Sequence, residues 1–104
     1  METTAEALPH PKREEIELSR VLHALSDPVR LKIVVCVAEG ECAMGAIDLP
    51  VTKSTCTHHF KVLREAGVLA QRHVGTARMN TLRREDLDAR FPGLLDTVLR
   101  SATA

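Results

Sequence analysis

The sequence has 104 residues, 44% of them apolar, and its 14 basic and 14 acidic side chains give a formal net charge of zero. This length predicts a single small domain, and with two phenylalanines and no tryptophan or tyrosine its core must be mainly aliphatic. No apolar run is long enough to cross a bilayer, and the three cysteines lack a C-x-x-C spacing, so we expect a cytoplasmic protein with reduced thiols.

The N-terminal quarter is predicted to hold a loose arm followed by a helix. Residues 1–12 are polar and include Pro9 and Pro11, which indicates a flexible arm, and residues 13–102 then form the domain. Apolar residues recur at helical spacing within 14–25 and form one stripe: Leu18, Val21, Leu22 and Leu25.

Two further helices are predicted before residue 50. Asp27 is suited to cap a helix and Pro28 to its first position, so a helix begins there and continues to about Glu39. Its second half is apolar on all sides, which is typical of a central buried helix. Gly40 ends it, and a short helix is expected within 42–49.

The stretch from Thr52 to Gly67 has the clearest helix signals at both ends. Thr52 is suited to the N-cap, and Gly67 is suited to the left-handed residue beyond the last turn. The apolar residues between them fall on one face: Cys56, Phe60 and Leu63.

The opposite face of this helix lacks an acid before Glu65. It carries basic or hydroxyl side chains and an imidazole: Lys53, Ser54, Thr57, His58, Lys61 and Arg64. Such side chains suit phosphate oxygens and base edges, and the alternative is an ordinary solvated helix face.

Basic residues are concentrated in one part of the chain. Residues 51–84 contain seven lysines and arginines and one acid, for a formal charge of +6, and the remaining residues carry −6. A basic surface on an otherwise acidic body is typical of a protein that binds a polyanion.

The pattern changes from helical to extended after Gly67. Residues 68–74 and 77–82 are predicted to pair as a hairpin across Gly75 and Thr76. The side chains beside this turn are basic: Arg72, His73 and Arg78.

Two helices are expected at the end, over 84–90 and 92–102. The second has a broad apolar face: Leu94, Leu95, Val98 and Leu99. The predicted fold is mainly α with a small β-hairpin, in which a helix-turn-helix is followed by a basic hairpin, the wing.

Two motifs resemble the ArsR/SmtB winged-helix repressors. They are Leu25–Val34 (LSDPVRLKIV) and Ser54–Leu69 (STCTHHFKVLREAGVL), in matching order and spacing. The resemblance covers about residues 16–99 and implies a sequence-specific DNA-binding transcriptional regulator, a homodimeric repressor on an inverted-repeat operator. It also implies DNA contacts from the start and outer face of the recognition helix, at Lys53, Ser54, Thr57 and His58.

The resemblance further implies a homodimer built from the first and last helices. We expect the apolar side chains of both helices to be exposed and to meet across a two-fold axis. These are Leu18, Val21, Leu22, Leu25, Leu94, Leu95, Val98 and Leu99.

The family's best-known sensor sites have no counterpart in this sequence. Metalloid sensors carry two cysteines where this chain has Cys42 alone, and no histidine follows His73. We therefore expect no metal and no cofactor, and the effector is left open. The alternative is a thiol- or metalloid-responsive repressor that uses Cys42 with Cys36, although Cys36 and Cys56 are expected to pack in the core.

The adjacent histidines resemble a metal-binding pair, but their geometry is unfavourable. His58 and His59 follow one another on a helix and point apart, so His58 is expected to face DNA and His59 to pack at the helix edge rather than share a zinc ion.

No group of residues in the sequence has the pattern of a catalytic site, so an enzyme is not expected. The remaining rival is a winged-helix protein-interaction module without operator binding.

Overall fold

Five α-helices and a three-stranded sheet make up the described part of the chain, residues 8–103, in a computed structural model. The helices are α1 (Leu18–Leu25), α2 (Pro28–Ala38), α3 (Lys53–Ala66), α4 (Arg84–Arg90) and α5 (Leu94–Ala102). The strands are β1 (Cys42–Ala43), β2 (Leu69–Val74) and β3 (Ala77–Leu82). No helix in these residues has the length and apolar character needed to span a membrane. The predicted mainly α fold with a hairpin is confirmed.

The sheet is antiparallel, with β3 in the centre between β1 and β2. Gln71 of β2 and Cys42 of β1 both lie opposite Asn80 of β3. Gly75 has a φ of +62°, so it supplies the left-handed residue that the tight turn between β2 and β3 requires. The predicted hairpin across Gly75 and Thr76 is therefore confirmed.

The prediction of a short helix within 42–49 is wrong. Cys42 and Ala43 instead form β1, because their backbone pairs with Asn80 and Met79 and completes the sheet. Only a single 3₁₀ turn, Met44–Ala46, follows. The helix-turn-helix consequently has one turn, not a full helix, before α3.

The first helix begins later than the sequence predicted. Residues Arg13–Glu15 form a 3₁₀ turn, and α1 starts only at Leu18. Ile16 between them is extended and only 1% exposed, with its side chain placed against Gly67. Burial of this large apolar side chain explains why the chain leaves the helical path there.

Helix α2 begins as the sequence predicts. The Asp27 carboxylate accepts hydrogen bonds from the backbone N–H groups of Val29 at 2.8 Å and Arg30 at 3.1 Å. These hydrogen bonds, led by that from Arg30, hold the pKa of Asp27 below its usual value. The expectation that this helix is buried all round is wrong, since Val35 and Cys36 lie partly exposed.

The core lies between α1, α2, α3 and the sheet, with contributions from α4 and α5. Its largest side chains with almost no exposure are aliphatic apart from one phenylalanine: Phe60, Ile16, Ile33, Leu63, Leu69 and Leu95. This agrees with the mainly aliphatic core expected from the composition.

The N-terminal segment was expected to be a loose arm over residues 1–12. Residues 1–7 of that arm lie outside the described part of the chain. In the described part, His10 Nε2 accepts a hydrogen bond from the backbone N–H of Gln71 at 2.9 Å, and the Pro11 carbonyl accepts one from Arg83 at 2.8 Å. Residues 8–12 are therefore held against β2 and the start of α4.

Candidate nucleic-acid interface

Helix α3 has the ends that its sequence predicts. The Thr52 side chain accepts a hydrogen bond from the backbone N–H of Thr55 at 3.3 Å, as an N-cap does. Gly67 lies in the left-handed region with a φ of +91°, and the Val68 N–H donates to the Leu63 carbonyl at 3.0 Å. These ends fix both the length of α3 and the direction in which the wing leaves it.

The two long faces of α3 differ in chemistry. Phe60 and Leu63 are fully buried and Cys56 is half-buried, so the predicted core stripe is confirmed. The outer face contains Thr57, which is half-buried and donates to the Lys53 carbonyl at 3.1 Å. The remaining residues on this face are exposed: Lys53, Ser54, Thr55, His58 and Lys61.

Arg64 does not lie on this outer face, and the prediction that it is exposed is wrong. Its side chain is 7% exposed and turns toward β2, where it donates a hydrogen bond to Gln71 Oε1 at 2.8 Å. The long guanidinium side chain reaches the sheet from the flank of α3, which helical spacing alone does not reveal. Arg64 therefore ties α3 to the wing.

The wing carries fewer unpaired charges than its sequence indicates. Arg72 is exposed but forms an ion pair with Glu41, just before β1. Arg78 on β3 is half-buried and has no ion pair among the described residues, and His73 lies directly opposite it. Arg78 is therefore the wing arginine that needs no bond broken before it contacts a phosphate.

Two other basic residues of the segment 51–84 are neutralised at its end. Arg83 pairs with Asp86 at 2.8 Å, and Arg84 pairs with Asp96 at 2.9 Å. The Arg13 and Arg83 side chains in turn hold the pKa of Asp86 below its usual value. The positive charge available to a polyanion thus comes from the outer face of α3 and the wing, not from the whole segment.

His59 makes a contact that the sequence did not predict. It is 8% exposed, and its Nδ1 lies 3.0 Å from a guanidinium nitrogen of Arg30 on α2. The ring centroids of His58 and His59 are 6.1 Å apart, and the two rings are tilted by 50°. Because Arg30 occupies His59 Nδ1, the two imidazoles do not converge on a common point.

The three cysteines are free thiols, and each is partly exposed. Burial raises the pKa of Cys42, with smaller contributions from Cys36 and Glu41, and burial also raises the pKa of Cys56. Raised values keep these thiols protonated near neutral pH and lower their reactivity. Among the described residues, no three histidine, cysteine or acidic side chains lie together as a metal site would need.

The apolar faces of α1 and α5 are only partly as expected. Val21, Leu25 and Leu95 were predicted to be exposed but are buried inside the protomer, at 1%, 7% and 2% exposure. Leu18 and Leu22 are exposed, at 45% and 47%. The α5 side chains Leu94, Val98 and Leu99 are half-buried.

The chain is similar in sequence to known bacterial regulators. Residues 27–70 match the family model described as "Bacterial regulatory protein, arsR family". The uncharacterised HTH-type transcriptional regulator YceK of Bacillus subtilis is 33% identical over 84 residues, which cover 77% of this chain and 84% of that protein. The arsenical resistance operon repressor of Staphylococcus xylosus is 36% identical over 74 residues, which cover 69% of this chain and 71% of that protein.

The fold is similar to those of two solved structures of transcriptional regulators. The crystal structure of the transcriptional repressor BigR from Xylella fastidiosa aligns with a TM-score of 0.63 and 26% identity, over 81% of this chain and 84% of that one. The crystal structure of a possible transcriptional regulator for arsenical resistance aligns with a TM-score of 0.61 and 25% identity, over 85% of this chain and all of that one.

Proposed function

The chain belongs to the arsR family of bacterial regulatory proteins, and we propose that it is a homodimeric repressor of an inverted-repeat operator. It is a DNA-binding transcriptional regulator, not an enzyme. Two relatives are named as repressors, which supports repression in place of activation. The rival class, a winged-helix interaction module without operator binding, has no support among these relatives. We place the repressor in the cytoplasm, where bacterial operator DNA lies.

The outer face of α3 supports this proposal most strongly. It is capped at both ends, and it exposes lysine, hydroxyl and imidazole groups with no acid before Glu65. We propose that the first turns contact base edges and sugar-phosphate oxygens through Lys53, Ser54, Thr57 and His58. Lys61 and the wing residues Arg72 and Arg78 contact phosphates, and Arg64 is withdrawn from this set because it is buried.

The exposed part of the α1 and α5 faces supports the dimer. Leu22 of α1 borders the same surface depression as Val98 of α5, so apolar groups of the two helices adjoin. Leu18 and Leu94 border a second depression, which shares Thr97 with the first. We propose that a second copy covers these apolar groups, together with the half-buried Leu99, across a two-fold axis. Val21, Leu25 and Leu95 are left out of this surface, since they belong to the protomer core.

Thiol chemistry at Cys42 is an alternative route to release from DNA. The alternative is a thiol- or metalloid-responsive repressor that uses Cys42 with Cys36. Burial raises the pKa of the Cys42 thiol, which argues against a reactive thiolate at this position. Arsenite or an oxidant that releases wild-type protein from DNA, but not the Cys42→Ser variant, would establish the thiol mechanism.

The DNA contacts are tested by fluorescence anisotropy on duplex DNA from upstream of the chain's own gene and on a scrambled duplex. Lys61→Ala should weaken binding to both duplexes alike and lower the magnitude of the log–log salt slope by about one. Lys53→Ala should lose roughly 1–3 kcal/mol on the operator and less on scrambled DNA. Lys12→Ala, which removes an exposed lysine outside α3 and the wing, is the control. Equal affinity of wild type for both duplexes would reject the proposed function.

A further inference from the structure

Arg30 is a buried cation whose contacts join three helices. It is 8% exposed, and its Nε donates a hydrogen bond to the Ala24 carbonyl at 2.7 Å, near the end of α1. One terminal nitrogen donates to the His23 carbonyl at 3.3 Å, and the other lies 3.0 Å from Nδ1 of His59 on α3. No carboxylate of the described residues forms an ion pair with Arg30.

The chemistry of Arg30 fixes the protonation state of His59. A guanidinium has only N–H donors and does not lose its charge in proteins, so Nδ1 of His59 must be the acceptor. An imidazole that accepts at Nδ1 is neutral and carries its proton on Nε2. The contact exists only in this form of His59.

The position of the contact links it to DNA binding. His59 directly follows His58 and precedes the fully buried Phe60, so it lies at the boundary between the DNA-facing and core-facing sides of α3. Each residue of an α-helix advances by about 100°, so a fixed contact at His59 sets the rotation of the outer face about the helix axis. The carbonyls of His23 and Ala24 tie the same guanidinium to α1.

Protonation of His59 would remove this contact and replace it with repulsion. The acceptor lone pair is lost, and an imidazolium then lies about 3 Å from the Arg30 guanidinium. His58 from α3 adds a second titratable cation nearby, and His23 from α1 has its imidazole exposed. The neighbouring acid is Asp27, whose carboxylate already accepts from the N–H groups of Val29 and Arg30.

We propose that Arg30 and His59 form a positioning pair for the recognition helix and that acidification opens this pair and releases the protein from its operator. The inference depends on the proposed role of α3 as the DNA-contacting helix. The pair orients α3 without touching DNA itself. Repression is then strongest at neutral pH and is relieved on acidification.

The direction of the pH effect distinguishes protonation of His59 from protonation of the other histidines. His58 and His73 lie toward the proposed DNA surface, and their protonation adds positive charge that attracts phosphates. These two residues therefore strengthen DNA binding on acidification. Release from the operator on acidification requires a group whose protonation breaks a contact that orients α3, as protonation of His59 would.

The test measures operator affinity by anisotropy between pH 5.5 and 8.0 for wild type, His59→Asn and His23→Asn. Asparagine places an amide oxygen near the position of Nδ1, so it still accepts from Arg30 but does not titrate. We expect the wild-type and His23→Asn proteins to lose about tenfold or more in affinity from pH 7.5 to 5.5, as one lost charge-assisted hydrogen bond would cause. His59→Asn should bind at pH 7.5 and show no such loss.

The same dependence of operator affinity on pH in His59→Asn as in wild type would overturn the inference. Wild type that binds no specific duplex at pH 7.5 would instead reject the proposed function, so the two failures are distinguishable. Should His59→Asn not fold, as judged by circular dichroism, nitrogen-15 NMR of the wild-type imidazoles at pH 7.5 decides. A neutral His59 with its proton on Nε2 is expected, and a proton on Nδ1 would contradict the pairing with Arg30.

Discussion

Gly67 is the residue at which α3 passes into the wing. Its φ of +91° lies in the left-handed region, which side chains with a Cβ seldom adopt. A Cβ at this position would lie 2.6 Å from Cγ1 of the buried Ile16. Glycine is therefore required both by backbone geometry and by the close approach of the segment before α1.

We expect Gly67→Ala to lower the free energy of unfolding by about 2 kcal/mol or more, because it combines backbone strain with a steric clash. The matched control is Gly45→Ala, where φ is not positive and a Cβ would meet no atom within 4 Å. Its effect should stay within about 0.5 kcal/mol. Urea denaturation of both variants measures the difference, and equal stabilities would contradict this account of Gly67.

Arg64 and His59 show what the sequence does not predict about individual residues. Helical spacing placed Thr57, His58 and Lys61 on the outer face of α3 correctly, because the Cβ direction follows from position in the helix. It failed for Arg64, whose long side chain turns back to reach Gln71. Nor did it indicate the Arg30–His59 contact, because their proximity depends on how α2 packs against α3.

At the scale of the elements, an ion pair connects the wing to the segment that precedes β1. Glu41, just before β1, pairs with Arg72 on β2, so part of the positive charge near the wing turn is neutralised. An exposed ion pair of this kind contributes little to stability. We expect its larger effect to be a weaker attraction between the wing and a phosphate backbone.

We expect Glu41→Gln to strengthen binding to operator and scrambled DNA alike, because it frees Arg72 and removes a negative charge from the wing. The salt slope of log affinity should become steeper by up to about one, and the melting temperature should change little. Glu85→Gln, which removes an exposed acid on α4, is the control and should leave affinity nearly unchanged. Weaker binding by Glu41→Gln would show that the ion pair instead holds Arg72 in its DNA-binding position.

The elements with strong end signals were predicted well, and those determined by distant pairing were not. The limits of α2 and α3 follow from Asp27, Pro28, Thr52 and Gly67, whose effects are local. β1 was not predicted because a segment of two residues is too short to show an alternating apolar pattern. These residues become a strand only through their pairing with β3. Likewise, α1 is shortened by the burial of Ile16 against Gly67, 51 positions along the chain.

At the scale of the whole molecule, the proposed dimer depends on the exposed apolar side chains of α1 and α5. Leu22 is 47% exposed in the protomer, whereas Leu95 is 2% exposed in the core. We expect Leu22→Asp to give a folded monomer with weak operator affinity, since it places a charge in the proposed dimer interface only. Leu95→Asp should prevent stable folding of the protomer itself. Sedimentation equilibrium and circular dichroism separate the two outcomes, and a dimeric Leu22→Asp protein would exclude this interface.

In the proposed complex, two copies of α3 contact two half-sites of one operator. Hydroxyl-radical footprinting on DNA from upstream of the chain's own gene tests it most directly, with sedimentation giving the number of chains bound. The account predicts two chains per duplex and protected half-sites related by a dyad, with centres one helical turn or a multiple apart, roughly 10 bp. Insertion of five base pairs between the half-sites should then abolish tight binding, and insertion of ten should restore much of it. A single protected site bound by one chain, or protection that is unaffected by the five-base-pair insertion, would contradict the account.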